Sequence, residues 1–321
     1  MRQIWDGPGN TLFIRGMRRR EFVRKSLGAG LAAGSALAIQ PYMKAFGQAP
    51  PMAGYDLVAV KGGQPGQMFD RAIQSMGGME QYVKRGQTVV IKPNLGWDLT
   101  PERAANTNPE LVGRIVEHCL SAGARDVFVF DHTINEWTRC YKNSGVEKAV
   151  KDAGGKIVSG HSQGSYQEID IPEAKILKKV RIHELILESD VFINVPILKH
   201  HGGAGLCVTM KNLMGTVWDR QFWHANDLHQ CIADYTFSVK ADLNVVDAYW
   251  VLKRNGPRGV SKADVVEMKS LILGKDMVAT DAAAAKLFGI EPEKIDHIRK
   301  ADEMGIGSMD LTGLSIDRIM I

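Results

Sequence analysis

The chain has 321 residues, 45% of them hydrophobic, enough to bury a substantial core in one large domain or two small ones. Its formal charge of +4 misleads about partners: residues 1–49 hold eight Lys or Arg against Asp6 and Glu21, leaving a net charge of about −2 for the rest, so the inference from a basic protein to nucleic acid or an anionic membrane fails. The cysteines Cys119, Cys140, Cys207 and Cys231 form no Cys-x-x-Cys pair, which excludes a zinc ribbon and a ferredoxin-type iron-sulfur motif.

At the N-terminus, Arg18-Arg19-Arg20-Glu21-Phe22-Val23-Arg24-Lys25 has the paired arginines, phenylalanine and basic residue of a twin-arginine export signal. The uncharged run from Ser26 to Ile39 is shorter than the roughly 20 apolar residues of a membrane span, so it reads as the h-region of a signal peptide. Gly and Ala on every face leave no apolar stripe for a surface helix. Ala36-Leu37-Ala38 and Gly47-Gln48-Ala49 are alternative cleavage sites, Pro50 and Pro51 extend the segment after them, and Met17 is an alternative start. The expected organisation is a signal peptide and linker over 1–49 and an α/β domain over 50–321. The partner this implies is the twin-arginine export machinery, the location periplasmic or otherwise extracytoplasmic, with no stable membrane insertion of the mature chain. Because this route carries folded proteins, it is compatible with a cofactor acquired before export.

From Tyr55 onward short apolar runs alternate with helical periodicity. Asp56–Val60 reads as a strand, Met68–Val83 as a helix interrupted at Gly77-Gly78, and Thr88–Ile91 as a strand buried on both faces. A helix runs from Pro109 to Leu120 with Asn108 as N-cap and Gly123 as stop, followed by a strand over Asp126–Phe130, which makes a β-α-β unit. Beyond it come helix Val146–Ala153, strand-like Lys156–Val158, two short antiparallel strands at Ile169–Ile171 and Lys179–Ile182, a brief helix His183–Leu187 and the strand Val191–Val195. Residues 199–226 are Gly-rich and polar and carry no clear periodicity; strands follow at Leu243–Val246 and Ser270–Leu273, then an Ala-rich helix at Met277–Phe288. The pattern predicts α/β architecture, a mixed, mainly parallel sheet with helices on both faces, as a single large domain or one with a small subdomain.

In such sheets ligands gather beyond the carboxyl ends of the strands. There the sequence places Lys92-Pro93-Asn94, Asp131-His132, the stretch Lys199-His200-His201 through Lys211-Asn212, and Asp247. Lys92, Lys199 and Lys211, with Gly-rich backbone between them, suit a carboxylate or phosphate. His200, His201, His224 and His229 fall within one stretch of thirty residues; with Asp131 or Asp247 they could bind a divalent metal, although no spacing is diagnostic and hydrogen bonding or acid-base work is favoured. Cys119 reads as core, while Cys207 and Cys231 are candidates for ligand or redox roles. Gly160-His161-Ser162-Gln163-Gly164 matches a nucleophile-elbow pattern but leads into a strand-like segment instead of a helix, so it reads as a polar turn. Walker A and Rossmann glycine motifs are absent.

The block Val90-Ile91-Lys92-Pro93-Asn94 with Thr107-Asn108-Pro109-Glu110 and Ala122-Gly123-Ala124, the block Ile193–His201, and the block Met210–Gly215 together resemble the uncharacterised domain-of-unknown-function family 362. So do Val246-Asp247, Gly256–Gly259, Val278–Asp281 and Gly305–Gly307. Some members of that family are joined to iron-sulfur modules, but this chain lacks the clustered cysteines. The resemblance raises Lys92, Asn94, Lys199, Lys211, Asn212, Asp247 and Asp281 as a converging site.

Three functions fit these residues. The first is an exported enzyme acting on a small anionic ligand, with Asp131, His200, His201, Lys211 and Asp247 catalytic, Lys92, Asn94, Thr107, Asn194, Lys199, Thr209, Asn212 and Asp281 binding, and a metal open. The second is a periplasmic binding or sensor protein using the same pocket without turnover, and the third a redox or cofactor-maturation accessory.

Overall fold

The computed structural model describes residues 55–321, so the leader expected over 1–49 lies outside the described residues. Its strands are β1 (Leu57–Lys61), β2 (Thr88–Pro93), β3 (Asp126–Val129), β4 (Lys156–Ile157), β5 (Tyr166–Asp170), β6 (Lys179–His183), β7 (Val191–Val195), β8 (Ile197–His201), β9 (Gly205–Cys207), β10 (Leu243–Leu252), β11 (Val265–Gly274) and β12 (Ile316–Met320). The α-helices are α1 (Pro65–Ser75), α2 (Pro109–Ser121), α3 (Trp137–Asn143), α4 (Val146–Asp152), α5 (Glu184–Glu188), α6 (Thr209–Asn212), α7 (Arg220–Ala225), α8 (Leu228–Ser238), α9 (Met277–Phe288) and α10 (Asp296–Glu303).

One large sheet runs β12-β1-β11-β10-β7-β2-β3-β4, with β8 branching from β10 and carrying β9. Strands β10, β7, β2, β3 and β4 are parallel, and β11 is antiparallel to both its neighbours. The fold is therefore the expected mixed, mostly parallel α/β sheet.

The two-residue repeat of a strand decides which side chain meets which layer. Val89 and Ile91 of β2, Ile193 and Val195 of β7, and Leu271 and Leu273 of β11 enter one core with α1 to α4; the interleaved Val90, Phe192 and Ile272 enter the other, with α8, α9 and α10. Asn108 caps α2 as expected, accepting from Glu110 N at 3.0 Å. The small β5–β6 sheet sends Ile169, Val180 and Ile182 into the second core, so it shares that core instead of building one of its own.

Two expectations change. The strand beginning at Leu243 continues to Leu252, because Ala248, Val251 and Leu252 are fully buried and keep the apolar face going through a register shift near Ala248. The stretch without clear periodicity resolves into the β8–β9 hairpin, the single-turn α6 and the short α7. The segment Gly160–Gly164 is the polar turn expected, entering a short 3-10 turn and then β5, with Tyr166 Oη donating to Gly160 O at 2.6 Å. Among the described residues no helix is long and apolar enough to cross a membrane.

Candidate functional site

Strands β2, β3, β7 and β10 all deliver their carboxyl ends to one edge of the sheet, where a cavity of about 450 Å³ opens. Such a volume is in the range of small-molecule sites. Its walls bring together Lys92, Lys199, Lys211 and Arg220, with Asp131 the sole carboxylate among the lining residues.

Each lysine is held differently. Lys92 is completely buried; its Nζ ion-pairs with Asp131 Oδ1 at 2.9 Å and donates to Pro93 O at 2.7 Å and Asn212 Oδ1 at 2.9 Å, while Asp131 Oδ1 accepts no hydrogen bond among the described residues. The other Asp131 oxygen accepts from Leu95 N at 2.7 Å. Lys199 Nζ donates to Asn94 Oδ1 at 2.9 Å and Ala105 O at 2.5 Å, with no carboxylate. Burial pushes its ammonium down to about 8, and the positive charges of Lys211 and Lys92 act in the same direction. Among the described residues Lys211, 93% buried, meets only the Met214 thioether, at 3.3 Å, and burial lowers its pKa also. An ammonium in such a place lacks the oxygen acceptors that normally compensate desolvation.

A row of amides fixes these groups. Lys92, Asn194 and Asn244 are register partners across β2, β7 and β10. Asn212, from α6, bridges the row: its Nδ2 donates to Asn194 Oδ1 at 2.8 Å, and its Oδ1 accepts from both Lys92 Nζ and Asn94 Nδ2. Asn194 Nδ2 in turn donates to Asn244 Oδ1 at 3.1 Å and Thr209 O at 3.0 Å. Helix α6 is only one turn long, too short to persist without tertiary support. That support is Asp281 of α9, fully buried, which accepts from Thr209 N at 2.7 Å, Thr209 Oγ1 at 2.5 Å and Met210 N at 3.1 Å.

The backbone must also approach closely. A Cβ on Gly215 would lie 1.9 Å from Asp131 Oδ1 and 2.6 Å from Lys92 Cε, so only glycine lets the loop after α6 cover that ion pair.

The β8–β9 hairpin sorts its side chains by parity. Lys199 and His201 line the cavity, and Cys207, the register partner of Lys199, lines it with them. His200 points to the other side, where its Nδ1 accepts from Gly256 N at 3.1 Å. His201 Nδ1 accepts from Gly203 N and Ala204 N at 3.1 and 3.0 Å, so the neutral ring carries its proton on Nε2. Burial holds its pKa near 3, and neutrality follows at ordinary pH. His132 shows the opposite tautomer: its Nδ1 donates to Val217 O at 3.0 Å, leaving Nε2 a lone pair, and burial followed by Arg220 lowers its pKa to about 4.

Of the residues singled out in the sequence, Lys92, Asn94, Asp131, His132, Lys199, His201, Cys207, Lys211, Asn212 and His224 line the cavity. The others do not. Asp247 is not at a strand end at all: it lies within β10, accepts from Asn108 N at 2.7 Å and Tyr249 N at 3.0 Å, and burial raises its pKa to about 6. Thr107 bonds Val195 O and Asn94 N, so it positions the β2 loop; Thr209 opens α6, and Asn194 and Asp281 brace that helix from behind. The four clustered histidines disperse: His201 stacks with His224 at 6.5 Å, and His229 pairs instead with His297. Among the described residues no three of His, Cys, Asp and Glu converge as metal ligands. Cys231 is buried in the core.

Sequence reasoning missed Arg220 entirely. Its guanidinium donates to His132 O at 2.6 Å and Thr133 O at 2.9 Å, tying α7 to the loop after β3 while it lines the cavity. Nothing in its local pattern marks it, because it lies well beyond any strand end. Trp97 and Met214 supply apolar wall in the same way.

A family model described as "Domain of unknown function (DUF362)" matches residues 89–286. A thylakoid-associated protein of Synechocystis sp. is 24% identical over 242 residues, which is 73% of each chain. Among solved structures, the lactate racemase apoprotein of Thermoanaerobacterium thermosaccharolyticum aligns at a TM-score of 0.45 and 14% identity, covering 69% of this chain and 55% of that one. A Thermotoga maritima protein aligns at 0.47 and 10% identity, covering 71% and 60%.

Proposed function

The chain belongs to the family described as Domain of unknown function (DUF362), and from that premise we propose that it is an exported protein that binds a small anion, a carboxylate or phosphate, in the cavity at the carboxyl edge of its sheet, and acts on it as an enzyme. One observation carries this reading: the buried Lys211 ammonium has a thioether as its partner, in a cavity where four cationic side chains face one carboxylate that Lys92 already occupies. An anion there gains Coulombic stabilisation in a poorly solvated place and relieves the desolvation of the lysines.

The chemistry follows from the same groups. Lys211 and Arg220 hold the anionic group. Lys199, with a pKa near 8, exchanges protons close to neutral pH, the condition under which acid-base catalysis is efficient. His201 offers an Nε2–H donor and His132 an Nε2 acceptor, two neutral imidazoles of opposite polarity. Burial lowers the Lys92 pKa, and the Asp131 charge opposes that lowering.

The test is calorimetric titration of the purified protein with inorganic phosphate and with acetate, beside the Lys211→Ala variant. At least one of the two anions should bind and raise the melting temperature, and Lys211→Ala should weaken that binding by tenfold or more with the fold intact. Absence of binding by both anions would remove the reading.

A further inference from the structure

Beside the cationic cavity lies a second one of about 620 Å³, and the two share the wall formed by His132, Arg220 and Gln221. Its remaining surface differs in character. Phe222, 44% exposed, and the half-buried Trp218 supply its ring surface, over a floor of buried Trp223, Leu177 and Val180. Trp218 is held in place: it stacks on His132 at 5.1 Å with planes 12° apart, meets the Tyr166 ring at 5.2 Å, and has the Arg181 guanidinium 6.0 Å from its ring centroid.

The charged residues of this second cavity are already paired. Asp219 receives both ends of the Arg181 fork at 2.6 and 2.7 Å, and Lys179 sits between Glu168 and Asp170 at 3.2 and 3.7 Å. Among the described residues the one cation facing it without a carboxylate partner is Arg220, which stands in the shared wall. Uncompensated positive charge thus lies on one side of Arg220, and on the other the rings of Trp218 and Phe222 stand among paired charges.

From this shared wall and the rings beyond it we infer that the ligand is a carboxylate or phosphate bearing an aromatic or heteroaromatic group, with its anionic end among Lys211, Lys199 and Arg220 and its ring against Trp218 and Phe222. The inference rests on the anion-binding reading of the first cavity and adds the second as a ring subsite. Aromatic surface favours flat rings through apolar burial and offset stacking, which an inorganic anion cannot exploit. The Arg220 side chain then contacts the ligand at the junction of its two parts.

The full chain is titrated with two series, inorganic phosphate against phenyl phosphate and acetate against phenylacetate, in the native protein, in Phe222→Ala and in Lys211→Ala. Expected is a gain of about tenfold or more for the aryl member of the series that binds. Phe222→Ala, a change at an exposed position outside the cationic cavity, should lose most of that gain and leave the parent anion unchanged. Lys211→Ala should weaken both members. If the parent anion binds and the aryl compound binds no tighter, the ring subsite is overturned while the anion site stands. If the aryl compound binds but neither competes with the parent anion nor responds to Lys211→Ala, the two cavities hold separate ligands and the inference is wrong. If nothing in either series binds, the anion reading fails and the subsite with it.

Discussion

At the scale of single residues, the cavity is a problem in compensating buried charge. Lys92 and Asp131 are solved by each other, and their pair is the element most sensitive to substitution. Asp131→Ala strands the Lys92 ammonium and the Leu95 N–H together, so chemical denaturation should show a loss of about 3–5 kcal/mol, with part of it recovered in the Asp131→Ala, Lys92→Met double variant. Lys199 presents the contrary case, a lysine without a carboxylate whose pKa has fallen to about 8. Below pH 8 it is charged and assists an anion; above it, deprotonation removes that charge. Anion affinity should therefore fall as pH rises through 8, by up to about tenfold per unit, and calorimetry in buffers of different ionisation enthalpy should detect proton uptake on binding near pH 8. A flat affinity from pH 7 to 10 would remove Lys199 from the site.

The elements explain why these residues meet. Lys92 and Asn94 were legible because a β-branched run ends at Ile91 and ligand groups follow strand ends; Asp131 was legible for the same reason after β3. The same rule misassigned Asp247, since the apolar residues that extend β10 by six positions look, in sequence, like the start of something new. Parity within β8 was equally hidden: His200 and His201 are chemically identical, and only the strand geometry turns one toward the cavity and the other toward Gly256. Helix α6 depends on Asp281 at its start and on Gly215 after it. Gly215→Ala should displace the loop from the Lys92–Asp131 pair, costing about 1–3 kcal/mol by overpacking. Anion binding should fall with it, and a crystal structure or titration showing an undisturbed site would contradict the close-approach argument.

For the whole molecule, the proposed export rests on the pair Arg19-Arg20 ahead of Glu21-Phe22, and the expected outcome of changing both to lysine is retention in the cytoplasmic fraction on cell fractionation, against recovery of the native chain outside it. Local sequence sufficed for fold class because periodicity and turn chemistry are written over a few consecutive residues: the buried β-branched strands, the Asn108-Pro109 helix start and the β-α-β alternation all act within ten positions or so. It also sufficed to nominate the lysines as a group. What it could not decide is which polar groups face the ligand and which brace the structure, since Asp281 and Thr209, Asn194 and Asn212, or Arg220 and His132, become partners only when segments tens of residues apart pack together. The charge of the cavity is a sum over those distant segments, and a sum of that kind exists only once the chain has folded.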